Sequence, residues 1–292
     1  MIYTIENDKL RIQVKTIGAE LTSIYDKVND REVLWQADPA FWPRQSPVLF
    51  PNVGRHYGDH YTVNGEVYPS SQHGFARDGE FECTESTDTS LTFQYVSDEE
   101  TLTLFPFEFL LEIIYTLDAD KLVITWRVKN IDEQTMYFTI GGHPAFNIPA
   151  LSENSDENCR LTFSGQDSLN YYLIAAPTGT ADTGKTYTLK LTDNTFAMEK
   201  NMFDQDALIF DGGQISRAGI QFADGTPYLE VISEDFPCYG IWSKPGAPFV
   251  CLEPWMGRCD DYGYEGTLKE KQNINVLEAD EMFEKTYTIH VF

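Results

Sequence analysis

The stretch KLVITWRVKN, residues 121–130, places Leu122, Ile124, Trp126 and Val128 on one parity and Thr125, Arg127 and Lys129 on the other. A period of two belongs to an extended chain with one buried face, because a helix would scatter these side chains around its circumference. The β-branched and aromatic content points the same way. SLTFQYV likewise alternates through Leu91, Phe93 and Tyr95, TYTLKLTD through Tyr187, Leu189 and Leu191, and YTIHVF through Tyr287, Ile289 and Val291. Asn64-Gly65 and Asp224-Gly225 are hairpin signals, since both offer residues that tolerate a left-handed backbone. No amphipathic helix exceeds about two turns; short helical turns are expected in DPAFW and LSENSDENC. These features predict an all-β fold, a large antiparallel sandwich formed by residues 1–292 as one domain.

Composition narrows the function. The 292 residues carry 21 basic and 46 acidic side chains, a net charge of −25 that disfavours nucleic acid and anionic membranes. No segment approaches the ~20 apolar residues of a membrane helix; FPFEFLLEIIYTL is interrupted by Glu108 and Glu112. MIYTIENDKLRIQV lacks the basic and apolar regions of a signal peptide. The five cysteines are odd in number and form no C-x-x-C pair, so a reducing, cytoplasmic setting is expected.

Three polar sites stand out from the strand pattern. In GGHPAF, His143 follows paired glycines and precedes a proline; either it decorates a turn or it is displayed to a ligand in space the glycines leave open. In QHGFARD, His73 precedes a glycine and stands four residues before Arg77. In VCLEPWMG, Glu253 closes an apolar strand before Pro254 and Trp255, either as a salt-bridged cap or as a desolvated base with raised pKa. Trp255 and Trp242 offer flat surfaces for a sugar ring. His290 falls on the polar phase of the last strand and reads as solvated. His56 and His60 have i,i+4 spacing, but Gly54 and Gly58 put them in a loop without a third metal ligand. No Walker loop, G-x-G-x-x-G or G-x-S-x-G is present.

Taken in order, FPNVGR, QHGFAR, GGHPAFN, DALIF and CLEPW resemble the aldose 1-epimerase family, the galactose mutarotase-like proteins. The resemblance spans nearly the whole chain and implies a β-supersandwich that interconverts the α and β anomers of a free aldose. It implies Glu253 as general base and His143 as general acid, with His73, Arg55 and Asp206 binding the sugar; Arg77 and Trp255 are further candidate substrate-binding residues. No metal or redox cofactor is needed, and a monomer or homodimer with a small sugar as its only ligand is expected. A histidine suits the acid role, and a nearby carboxylate would raise its pKa above ~6.5.

QHGFAR also resembles the hexose-6-phosphate branch, in which an arginine near Arg77 helps to bind phosphate. Because Asp78 follows Arg77 and the chain is strongly acidic, the unphosphorylated aldose is the expected substrate. A glycosidase would require two carboxylates, such as Glu253 and Asp206, and would leave both histidines without a purpose. A sugar-binding protein without turnover would not need Glu253 and His143 together.

Overall fold

The computed structural model describes residues 1–292. Lys121–Asn130 is the sixth strand across a nine-stranded antiparallel sheet, between Phe109–Asp118 and Met282–Val291. Leu122, Ile124, Trp126 and Val128 are at most 1% exposed, while Arg127 on the other face reaches Glu284 at 2.6 Å. Burying each such apolar side chain contributes roughly 1.5–3 kcal/mol. A one-residue slip would turn all four outward, so the register is fixed. FPFEFLLEIIYTL becomes the strand Phe109–Asp118, with Glu112 on the outer face accepting a hydrogen bond from Gln94 at 2.6 Å.

The second layer is a six-stranded sheet in the order Leu208–Asp211, Cys238–Trp242, Phe249–Met256, Ile140–Gly142 and Val48–Leu49, with Ala145–Asn147 also paired to Phe249–Met256. One apolar core joins Trp126 and Tyr287 of the larger sheet to Phe210, Ile241, Val250 and Leu252 of the smaller. An N-terminal sheet of Ile2–Glu6, Leu10–Lys15, Leu21–Asp26 and Arg31–Glu32 adds Leu10, Ile12 and Ile24 to that core.

The turns follow their chemistry. Asn64 (φ 51°) and Gly65 (φ 87°) both lie in the left-handed region and close the hairpin between His60–Val63 and Glu66–Pro69, a type I′ turn. Asp224-Gly225 joins Arg217–Gln221 to Pro227–Ile232, where Asp224 accepts from the Thr226 N–H at 2.9 Å.

Several local expectations change. LSENSDENC contains a 3₁₀ turn, Ser155–Glu157, but DPAFW forms only a turn closed by Trp42 N–H on the Asp38 carbonyl at 3.0 Å. The α-helix Glu99–Leu104 arises instead where Asp98 and Thr101 cap each other reciprocally. In TYTLKLTD the strand ends at Lys190. His290 is not freely solvated: its ring lies 3.2 Å from Glu230 and 3.5 Å from Asp120. No helix is long and apolar enough to cross a membrane.

Candidate active site

Glu253 does not end its strand. Phe249–Met256 continues through Pro254, and Glu253 lies in its middle, opposite Gly240. A proline is tolerated here because the neighbour on the other side is interrupted. Ala145–Asn147 pairs only as far as Cys251, and Ile140–Gly142 resumes at Trp255. The gap holds His143 and Pro144, and the broken ladder thereby sets the imidazole against the carboxylate. His143 Nε2 lies 3.4 Å from Glu253 Oε2. Strand parity separates the faces: Val250 and Leu252 enter the shared core, whereas Cys251, Glu253 and Trp255 face away from it.

The two glycines before His143 do not make room for a ligand. Neither has a positive φ. A Cβ on Gly141 would fall 2.5 Å from Trp255 Cδ1, and one on Gly142 would fall 2.9 Å from the Tyr287 hydroxyl. Gly240 serves Trp255 as well, its absent Cβ lying 2.2 Å from the indole. The glycines seat the tryptophan and bring the sheets together; the tryptophan then walls the cavity.

That cavity, of about 290 Å³, has Glu253, His143, His73 and Trp255 in its lining, with Arg77, Asp206, Trp242 and Lys244 contributing from loops and strand ends. Its size lies at the lower end of small-molecule sites. Trp42 stacks on His143 with ring centres 4.9 Å apart and an interplanar angle of 27°. His73 meets the same imidazole edge-on at 5.6 Å.

Residues 1–271 match the family model for aldose 1-epimerase. The chain belongs to the aldose 1-epimerase family. The plasmid and chromosomal LacX proteins of Lactococcus lactis subsp. lactis are each 30% identical to it, over 100% of this chain and 99% of theirs. A galactose mutarotase related enzyme from Lactobacillus acidophilus superposes with a TM-score of 0.92 at 32% identity, covering 100% of this chain and 97% of the other. A galactose mutarotase-like protein from Lactobacillus casei gives 0.91 at 29% identity, with 100% of both chains covered. The fold is therefore the mutarotase-like β-supersandwich.

Within this aldose 1-epimerase family member, burial governs the titratable groups of the cavity. Burial drives Glu253 well above the usual carboxylate range, opposed by the nearby Trp255 indole N–H, which completes no hydrogen bond to it, and reinforced by Asp206. Burial also pushes His143 down to about 3, with Arg77 and Arg44 adding to the effect. The expected upward shift of His143 is thus reversed, because desolvation of a buried imidazole outweighs a carboxyl that itself resists ionising. His73 is likewise driven well below its ordinary value by burial, with the neighbouring His143 and Arg77 adding.

His73 is held by a reciprocal clamp. Its Nδ1 accepts the Gly54 N–H at 3.1 Å, and its own N–H donates to the Gly54 carbonyl at 2.7 Å. A neutral ring accepting at Nδ1 carries its proton on Nε2, so His73 is a hydrogen-bond donor toward the cavity. The clamp sets His73 at φ 67°, a strained angle for a side-chain-bearing residue. Asp206, also on the rim, sits at φ 73°.

Arg55 is not brought into the cavity. Its guanidinium pairs with Asp59 at 2.8 Å and its stem packs on Gly179. Arg77 donates to the Gln72 carbonyl at 2.7 Å, while its buried Nε has no partner. His56 and His60 share no centre: His56 bonds Ser70 and His60 bonds the Gly58 carbonyl. The sequence alone does not announce three residues at or beside the site, Trp42, Lys244 and Cys251. Trp42 sits in the aromatic pair before Pro43; Lys244 and Cys251 carry no distinguishing local signal.

Proposed function

We propose that the protein is an aldose 1-epimerase acting on a free hexose, with Glu253 and His143 as the proton-transfer pair. The observation that carries this is the 3.4 Å approach of a buried imidazole to a buried carboxyl on the floor of a monosaccharide-sized cavity. The C1 hydroxyl and the ring oxygen share one carbon, so the groups that serve them must lie close together.

In ring opening, Glu253 carboxylate removes the C1 hydroxyl proton while His143 imidazolium protonates the ring oxygen. The C1–O bond breaks, the carbonyl forms, and the pair is left as carboxylic acid and neutral imidazole. After rotation about C1–C2 the reverse transfers close the ring on the other face and restore the pair. It holds one proton throughout, and its two forms have equal net charge, which suits a dry site. Burial favours the neutral form, the one that faces the open-chain aldehyde. His73 Nε2–H supplies a fixed donor to a sugar oxygen, and Trp255 and Trp242 supply apolar ring faces. A reducing, cytoplasmic setting fits five cysteines of which none is paired.

The test is anomer exchange measured by NMR in Glu253→Gln. A positioned general base supplies about 10²–10⁴ in rate, so a loss of at least ~100-fold is expected. Near wild-type exchange in the folded variant would remove Glu253 from the mechanism. Release of free sugar from an aryl glycoside would instead favour a hydrolase.

A further inference from the structure

We propose that the cavity floor also binds a thiophilic divalent cation of the zinc class, through His143, Cys251 and Glu253, and that the bound ion excludes sugar. A ring nitrogen of His143, the Cys251 sulfur and a Glu253 carboxylate oxygen all lie within 4.8 Å of one another, and all three residues are buried. Cys251 and Glu253 are two apart on Phe249–Met256 and share a face, while His143 enters from the break in the neighbouring strand.

The geometry is close to that of a metal site without an ion. Ligands at about 2.0–2.1 Å from tetrahedral zinc stand roughly 3.4 Å apart. That is the observed separation of His143 Nε2 and Glu253 Oε2. With a Zn–S bond of about 2.3 Å the sulfur stands roughly 3.6 Å from the other ligands, so it has to close by about 1.2 Å at most. The site also has unmet bonding capacity, since Glu253 Oε2 is buried with no hydrogen-bond partner.

Charge and donor type select the ion. A divalent cation with one thiolate, one carboxylate and one neutral imidazole sums to zero, the arrangement that a floor shielded from water tolerates. Sulfur and nitrogen donors favour zinc, cobalt or cadmium and disfavour magnesium and calcium, which require six or more oxygens. On binding, two protons leave to solvent, the Cys251 thiol proton and the one that Glu253 and His143 share, and bonds to the metal take their places. His143 and Glu253 line the cavity and the fully buried Cys251 lies behind them, so an ion held by all three occupies the two groups that the C1 end of a sugar would meet. The ion is therefore an inhibitor, not a cofactor. Binding itself does not depend on the epimerase assignment.

The test titrates metal-free, full-length protein with Co²⁺ and follows the thiolate-to-cobalt charge-transfer absorption. We expect one Co²⁺ per chain, a thiolate band displaced by Zn²⁺ but not by Mg²⁺, and loss of that band in Cys251→Ala. Affinity should fall at least ~100-fold in that variant, since second-shell changes alone cost 10–100-fold. Cys251→Ser, which keeps the side-chain volume, gives the same readout if the alanine variant folds poorly. Cobalt bound without a thiolate band, or a band that survives in both variants, would overturn the proposal. If the protein proves to have no epimerase activity, the spectra still decide. If it is active, Zn²⁺ should inhibit the wild type far more strongly than Cys251→Ala, and EDTA should raise activity or leave it unchanged. Activity abolished by EDTA and restored by Zn²⁺ would make the ion a cofactor and overturn its inhibitory role.

Discussion

His73, half-buried, and His143, buried, meet edge to face, yet their hydrogen bonding differs. The Gly54 N–H fixes the His73 tautomer, so His73 can hold a sugar oxygen but has little freedom to exchange protons. His143 has no such lock on Nδ1 and faces a carboxyl through Nε2. His143→Asn should therefore lower kcat by a factor similar to Glu253→Gln while KM changes little, because the proposed mechanism uses its proton only as the ring opens. His73→Asn should weaken both parameters. Steady-state kinetics on the two variants check the assignment, and a His143→Asn enzyme with normal kcat and failed binding would exchange the roles. The raised pKa of Glu253 has a consequence for stability. Above the unfolded value of ~4.3 the folded state keeps a proton that the unfolded state has lost, so this group makes stability fall as pH rises toward its folded pKa. Glu253→Gln removes that penalty. Its Tm should exceed the wild-type Tm by about 2 °C or more at neutral pH, with the gap shrinking as pH falls to ~4. Thermal melts across pH that show no gap would mean the carboxyl is not enclosed in solution.

The element that makes the site is an interrupted strand, and this explains what the sequence revealed and what it hid. Lys121–Asn130 was legible because its faces meet different surroundings, core on one side and Arg127–Glu284 pairing on the other. Phe249–Met256 is covered on both faces through Trp255, so alternation disappears and Pro254 looks like a terminus. The pairing gap that admits the proline and positions His143 is a property of two strands together. The same limit hid Cys251, whose partner histidine is more than a hundred residues away in the chain. GGHPAF was recognisable as special, but for a different reason from the one found: its glycines answer to Trp255 and Tyr287. Gly141→Ala should thus cost about 1–3 kcal/mol by overpacking and should shift tryptophan fluorescence as the Trp255 ring moves. Gly65→Ala, in a hairpin where the added methyl meets nothing within 4 Å, should leave that fluorescence unchanged despite its backbone strain. Urea melts and emission spectra on both variants make the comparison; an unperturbed Gly141→Ala would show that the indole is not wedged against the strand.

At the scale of the whole molecule, a net charge of −25 surrounds a cavity whose mouth carries cations. The order of motifs along the chain made the family legible, but the substrate depends on how those charges are already engaged. Screening over about 8 Å leaves the outcome to nearby groups rather than to the global field. Arg77 and Lys244 line the cavity, and Arg44 stands behind them, paired to Asp78 at 2.8 Å. Asp78 also lies 3.7 Å from Arg77, and Asp206 adds a second carboxylate at the rim. Arg55, which would have completed a cluster of three arginines, is turned toward Asp59. Two partly neutralised arginines and one exposed lysine make a weak phosphate cradle compared with a bidentate, unopposed one. The neutral sugar should therefore be preferred. Comparing kcat/KM for glucose and galactose with that for their 6-phosphates, in wild type and in Arg77→Ala, tests this. Arg77 is the residue through which the expectation would fail, since its Nε makes no hydrogen bond and Asp78 stands 3.7 Å from it. A preference for the phosphorylated sugars above roughly tenfold, about 1.4 kcal/mol, that vanishes in Arg77→Ala would show that this side chain completes a phosphate site.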